Sequence, residues 1–199
     1  MRMLFLSAVL FFVAGAAQAA TLNVVAGQLM GASGVDVGGT FYDVQFLDGT
    51  CIDLFNGCDD DSDFTFNSLA SATLASQALL DQVFVATFDS QPDFTRGCGP
   101  SIPLCRSITP YGADLEFGDF GTVSMSTAVN DPLVGFFDLS ADGVLLDSSY
   151  RSYDTFQLDP NYVWAVWAPL TPVPEPSTAL LLGLGLTGLA GKGRRRNRS

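Results

Sequence analysis

The residues best suited to chemistry stand in Cys58-Asp-Asp-Asp-Ser-Asp-Phe64. Asp59, Asp61 and Asp63 alternate there like the first ligands of a calcium loop. The glycine such a loop needs at its sixth position is Phe64, however, and the bidentate glutamate of its twelfth is Ala70. The run is therefore not an EF-hand. Calcium held in another geometry is the one cofactor the sequence suggests. Against it stands a solvated acidic turn, whose charge favours the start of a following helix, and the turn is the preferred reading.

Catalysis has few residues to draw on. The chain contains no histidine. That removes the commonest general base, any Ser-His-Asp or Cys-His apparatus within the chain, and imidazole-based zinc sites. A hydrolase working with two carboxylates needs no histidine, but the aspartates are too many to single out a pair. Neither glutamate, Glu116 or Glu175, sits in an acid–base motif. No intrinsic catalysis is expected. Gly183-Leu-Gly-Leu-Thr-Gly188 matches a dinucleotide fingerprint in letters only, because no βαβ unit surrounds it.

Cysteines come in two pairs of equal spacing, Cys51/Cys58 and Cys98/Cys105. Four cysteines permit three connectivities. Two local disulfides are preferred, since glycine or proline in each intervening segment lets the chain turn back. The spacing is wider than Cys-x-x-Cys zinc pairs.

The compartment follows from the amino terminus, MRMLFLSAVLFFVAGAAQAA. Arg2, the apolar Leu4–Gly15 and the small-x-small Ala17-Gln18-Ala19 form a secretory signal peptide over residues 1–19. Residues 20–176 then hold three arginines, Arg96, Arg106 and Arg151, against all 21 acids, a formal charge of −18. Such a body repels phosphate backbones, so nucleic acid is not an expected partner. With 48% hydrophobic and 15% charged residues, the chain is not a charge-rich disordered one.

The elements that must position these residues are mostly strands. Leu22–Leu54 reads as a meander in which Tyr42, Val44 and Phe46 alternate with Asp43 and Gln45, with turn signals at Gly38-Gly39 and Asp48-Gly49. One helix is expected over about 68–85, capped by Ser68, with Leu69, Ala72, Ala75, Ala78, Leu79 and Val83 on one face. Residues 88–113 read as a long loop rich in proline and glycine. Strand-like runs return at 115–129, 134–139, 144–149 and 161–167. Trp164 and Trp167 fall on opposite faces of the last, so one could be exposed. The fold class expected is α+β: an antiparallel, β-rich body with one main helix.

The C-terminal stretch is VPEPSTALLLGLGLTGLAGKGRRRNRS. Prolines at 169, 172, 174 and 176 keep a linker over 169–176 extended. Residues 177–191 would make a helix about 22 Å long, short for a bilayer. The basic residues Lys192, Arg194, Arg195, Arg196 and Arg198 in the tail 192–199 form a stop-transfer patch that stays in the cytoplasm. This layout of Pro174-Glu175-Pro176, apolar helix and arginine-rich end resembles the PEP-CTERM sorting signal of exported bacterial proteins. The resemblance implies a Gram-negative host and recognition by an exosortase, a membrane-embedded, cysteine-protease-like transpeptidase. It further implies cleavage near Pro174, Glu175 and Pro176 and delivery to the cell surface or a polysaccharide matrix. The segments DGTCIDLFNGCD, SQALLDQVF, TPYG and VWAVW resemble an ectodomain recurrent among such proteins, which carries no activity over.

The sequence thus predicts an exported, non-enzymatic surface or extracellular-matrix protein of the biofilm kind. Its ectodomain spans 20–168 and is stabilised by disulfides. It passes through an inner-membrane-anchored intermediate that faces the periplasm. Exosortase and the inner membrane are its expected partners, with extracellular polysaccharide as a further one. The alternatives are a calcium- or carbohydrate-binding matrix module and a secreted carboxylate-dependent glycoside hydrolase.

Overall fold

The computed structural model describes residues 19–100, 104–115, 121–132, 143–155 and 160–170. The signal-peptide reading, the strand expected at 134–139 and everything after Leu170 lie outside them.

The chain is β-rich. Seven strands, β1 (Thr21–Val25), β2 (Gln28–Val37), β3 (Thr40–Leu47), β4 (Cys105–Asp114), β5 (Thr122–Asn130), β6 (Gly143–Tyr150) and β7 (Tyr162–Pro169), form one sheet in the order β1-β2-β3-β7-β4-β5-β6. The amino-terminal meander turns at Ala26-Gly27 and Gly38-Gly39. All four residues have positive φ, which two-residue hairpin loops require to match the strand twist. Gly31 is needed for a different reason: a Cβ there would stand 2.0 Å from the Val44 carbonyl oxygen of the neighbouring strand.

The sheet is not wholly antiparallel. β7 runs antiparallel to β3 but parallel to β4, over Arg106–Ile108. The last strand therefore occupies the middle of the sheet, a non-local pairing that no local pattern announces.

β4 replaces much of the loop expected over 88–113. Its serine, threonine and proline disguise it, yet Ser107 and Thr109 are buried. Pro110 is tolerated because β7 pairs with β4 only up to Ile108, and the register with β5 shifts between Pro110 and Gly112. Short helical turns at Thr87–Ser90 and Pro92–Phe94 precede it.

Among the described residues α2 (Leu69–Gln82) is the main helix, beside the single turns α1 (Cys51–Leu54) and α3 (Thr87–Ser90). Ser68 caps it, its hydroxyl accepting from the Ser71 N–H at 3.3 Å. The helix ends three residues before the expected 85. Gln82 closes it onto β2, accepting from the Asp36 N–H and donating to the Asp36 carbonyl. Ala72, Ala75 and Ser76 let α2 lie close on β5, and the Ser76 hydroxyl donates to the Ser126 carbonyl. Leu69, expected on the buried face, is exposed.

Both faces of the central strands are covered. On one, Leu79 of α2 and the Val83 and Phe84 that follow the helix share a core cluster with Val44, Phe46, Val163 and Trp167, Phe84 stacking on Phe46 at 5.5 Å. On the other, α1 and its following loop pack Phe55 and Phe64 onto Ile108, Met125 and Trp164. Trp164 and Trp167 do face opposite ways, but at 0% and 6% exposure neither is outside. Each indole N–H finds a partner, Trp164 at the Gly49 carbonyl and Trp167 at the Thr109 hydroxyl.

Candidate functional site

Two regions bear on function: the acidic loop and the strand from which the C-terminal segment departs.

In the acidic loop the carboxylates serve the backbone. Asp60 caps a single 3-10 turn, Asp61–Asp63, by accepting from the Ser62 N–H. Asp63 accepts from the N–H groups of Asp59 and Asp60 with one oxygen and from the Asn56 amide with the other. Asp61 reaches across to the Ala113 N–H of β4 at 2.9 Å. Hydrogen bonds from Ser62 hold the Asp60 carboxyl below its ordinary range. Those from Asn56, then Asp59, do the same for Asp63. Asp59, Asp61 and Asp63 are not assembled into a cage: among the described residues no group of three or more His, Cys, Asp or Glu is placed to hold a metal.

Cys51 is bonded to Cys58 and Cys98 to Cys105. The first bond closes the loop that carries Phe55 under Trp164, at 5.7 Å between ring centroids. The second ties the segment before β4 to that strand's first residue.

Asp48, which the sequence marks only as a turn residue, behaves differently from the acidic loop. Burial pushes its carboxyl up, opposed by the Arg96 charge and a hydrogen bond with Thr155. Its Oδ1 is buried with no hydrogen-bond partner. Gly49 beside it is held at both ends by Thr155: its N–H donates to the Thr155 hydroxyl, and its carbonyl accepts from the Thr155 N–H. Thr155 lies 106 residues away, so the sequence carries no signal for this junction.

β7 is buried on both faces at its centre, with Val163, Ala165 and Trp167 in one apolar cluster and Trp164 in the other. It pairs with β3 in six register positions, from Leu47↔Trp164 to Tyr42↔Pro169. The Trp167 carbonyl accepts from the Thr65 hydroxyl. Among the described residues the last tie is the Leu170 N–H, donated to the Phe41 carbonyl at 3.0 Å. Pro169, placed in the linker from sequence, is thus the end of the strand.

Two residues after Leu170 a family model begins to match, the PEP-CTERM protein-sorting motif, over residues 172–196. The chain carries a PEP-CTERM sorting signal. That signal implies an exosortase as processing partner and export to the cell envelope or surface. No curated protein and no solved structure matches the chain. The sorting residues Pro174, Glu175 and Pro176, the apolar 177–191 and the basic residues Lys192, Arg194, Arg195, Arg196 and Arg198 lie outside the described residues. Among those described, no helix is long and apolar enough to cross a membrane.

Proposed function

We propose that this PEP-CTERM protein is exported through the signal peptide at residues 1–19 and held briefly in the inner membrane by 177–191. An exosortase then cleaves it near Pro174-Glu175-Pro176. The acidic, β-rich body is released to the cell surface or an extracellular polysaccharide matrix. It performs no catalysis there and acts through what it binds or forms. The stop-transfer patch of Lys192 and the following arginines holds the tail inside while the linker is presented outside.

One observation carries this reading. The sorting motif starts at residue 172, two residues beyond Leu170, whose N–H is bonded to Phe41 at the end of the central strand β7. A protease or transpeptidase needs an extended, accessible segment. Prolines at 172, 174 and 176 favour an extended backbone.

The test is the intact mass of the protein recovered from its host, beside a strain carrying Glu175→Ala. The expected wild-type product lacks residues 1–19 and everything beyond the Pro-Glu-Pro region, and the variant keeps its tail. A wild-type product that retains residues 177–199 overturns the processing step and makes the segment a permanent anchor.

A further inference from the structure

On the second face of the sheet the Cys51–Cys58 loop packs Phe55 on Trp164, within a buried cluster that also holds Ile108 and Met125. Beside it a cleft of about 200 Å³ opens over Ile108 and Met125. It is lined by Tyr162 of β7, by Tyr153 of the turn that follows β6, and by Asp147 and Ser149 of the edge strand β6 itself.

We propose that this cleft binds one ring of a neutral saccharide. Its size comes first. Pockets that enclose a drug-sized ligand run to roughly 300–1,000 Å³, so this one admits a single ring and excludes a nucleotide. The lining comes second. The two half-buried tyrosines offer aromatic surface to the C–H face of a pyranose, above the buried side chains of Ile108 and Met125. Asp147 and Ser149 offer an acceptor and a hydroxyl to its rim. A wholly apolar ligand would strip water from those polar groups without replacing its hydrogen bonds.

Preorganisation is the third argument. The Arg106 guanidinium lies 5.0 Å from the centre of the Tyr162 ring, and Tyr153 meets the same ring edge-on at 6.5 Å. The Ser148 N–H donates to Asp147 Oδ1 at 2.7 Å and orients that carboxylate. The groups are therefore held before a ligand arrives, which lowers the cost of binding. Charge decides between saccharides. The body carries −18 and Asp147 stands at the rim, so phosphorylated sugars and uronates are repelled. The proposal deepens the reading of the body as a surface or matrix protein. It leans on that reading only for where the ligand is met, and its test does not involve sorting.

The protein recovered from its host, labelled at methionine methyl groups, is titrated with trisaccharides of glucose, galactose and mannose and with trigalacturonate. The Met125 signal, assigned with Met125→Leu, is followed. At least one neutral trisaccharide should move it with a Kd on the order of 1 mM, with trigalacturonate about tenfold weaker or worse. Tyr162→Ala should abolish the shift. Because that ring also packs on the core, the exposed Asp147→Ala is the second variant, expected to weaken binding about fivefold with an unchanged melting temperature. A Met125 signal unmoved by every neutral trisaccharide up to about 20 mM overturns the proposal. So does equal binding of trigalacturonate, or a shift that Asp147→Ala leaves untouched.

Discussion

Asp60 and Asp63 on one side and Asp48 on the other show how placement sets a carboxylate's role. The first two lie in water, and their pKa values are lowered by hydrogen bonds, so they support the fold above about pH 3.8 and lose that support as pH falls through their folded values. Asp48 has the opposite sign. Its pKa is raised from 3.8 by burial, so its favourable contribution is complete below that value and disappears as pH rises through the folded one. Asp48→Asn should therefore raise the melting temperature at pH 7, with the gain over wild type shrinking towards pH 3.5. Parallel melts across that range check both statements, and a gain independent of pH would contradict the assigned cause. Ala26 gives a second residue-scale expectation. It is exposed at φ 52° in a hairpin that favours Asn-Gly. Ala26→Asn should stabilise by about 0.5–1 kcal/mol in urea unfolding. The acidic run itself was legible as a turn. Its calcium-like spacing was not decisive, because an oxygen that caps a backbone N–H has the same chemistry as one that ligates a cation.

Helix α2 was the most legible element. Ser68 and the alanine-rich face announce it, and Ser68→Ala should cost about 1 kcal/mol, read from the urea midpoint. Leu69 follows the helical period and still ends in water, at the first residue of the helix. β4 was hidden: Ser107 and Thr109 are buried without looking apolar, and Pro110 argues against a strand until its interrupted register is known. Trp164 and Trp167 alternate as a strand requires. What alternation could not tell is that both faces are roofed. The two disulfides close small loops of equal separation, and each should contribute about 2–3 kcal/mol. Replacing both Cys51 and Cys58 by Ala should also loosen Phe55 from Trp164, and quenching of tryptophan fluorescence would report it. Replacing Cys98 and Cys105 should leave that signal nearly unchanged.

For the whole molecule, the strong acidity and the β-rich class were readable, and the sheet order was not. β3 and β7 are joined by pairs more than a hundred residues apart, such as Tyr42 and Pro169. A body of charge −18 repels itself as well as its neighbours. Raising sodium chloride from about 10 mM to about 500 mM, which shortens the screening length severalfold, should raise the melting temperature and leave the unfolding slope in urea unchanged. The position of β7 has a mechanical meaning. Leu170 leads out of a strand paired on both sides, with β3 along six positions and with β4 at its start. A load applied through the C-terminal segment along that strand shears many hydrogen bonds at once instead of peeling them one by one. A protein tethered by this end and dragged by flow would resist tearing at its point of attachment, and its first failure under tension would fall elsewhere, at the edges β1 and β6.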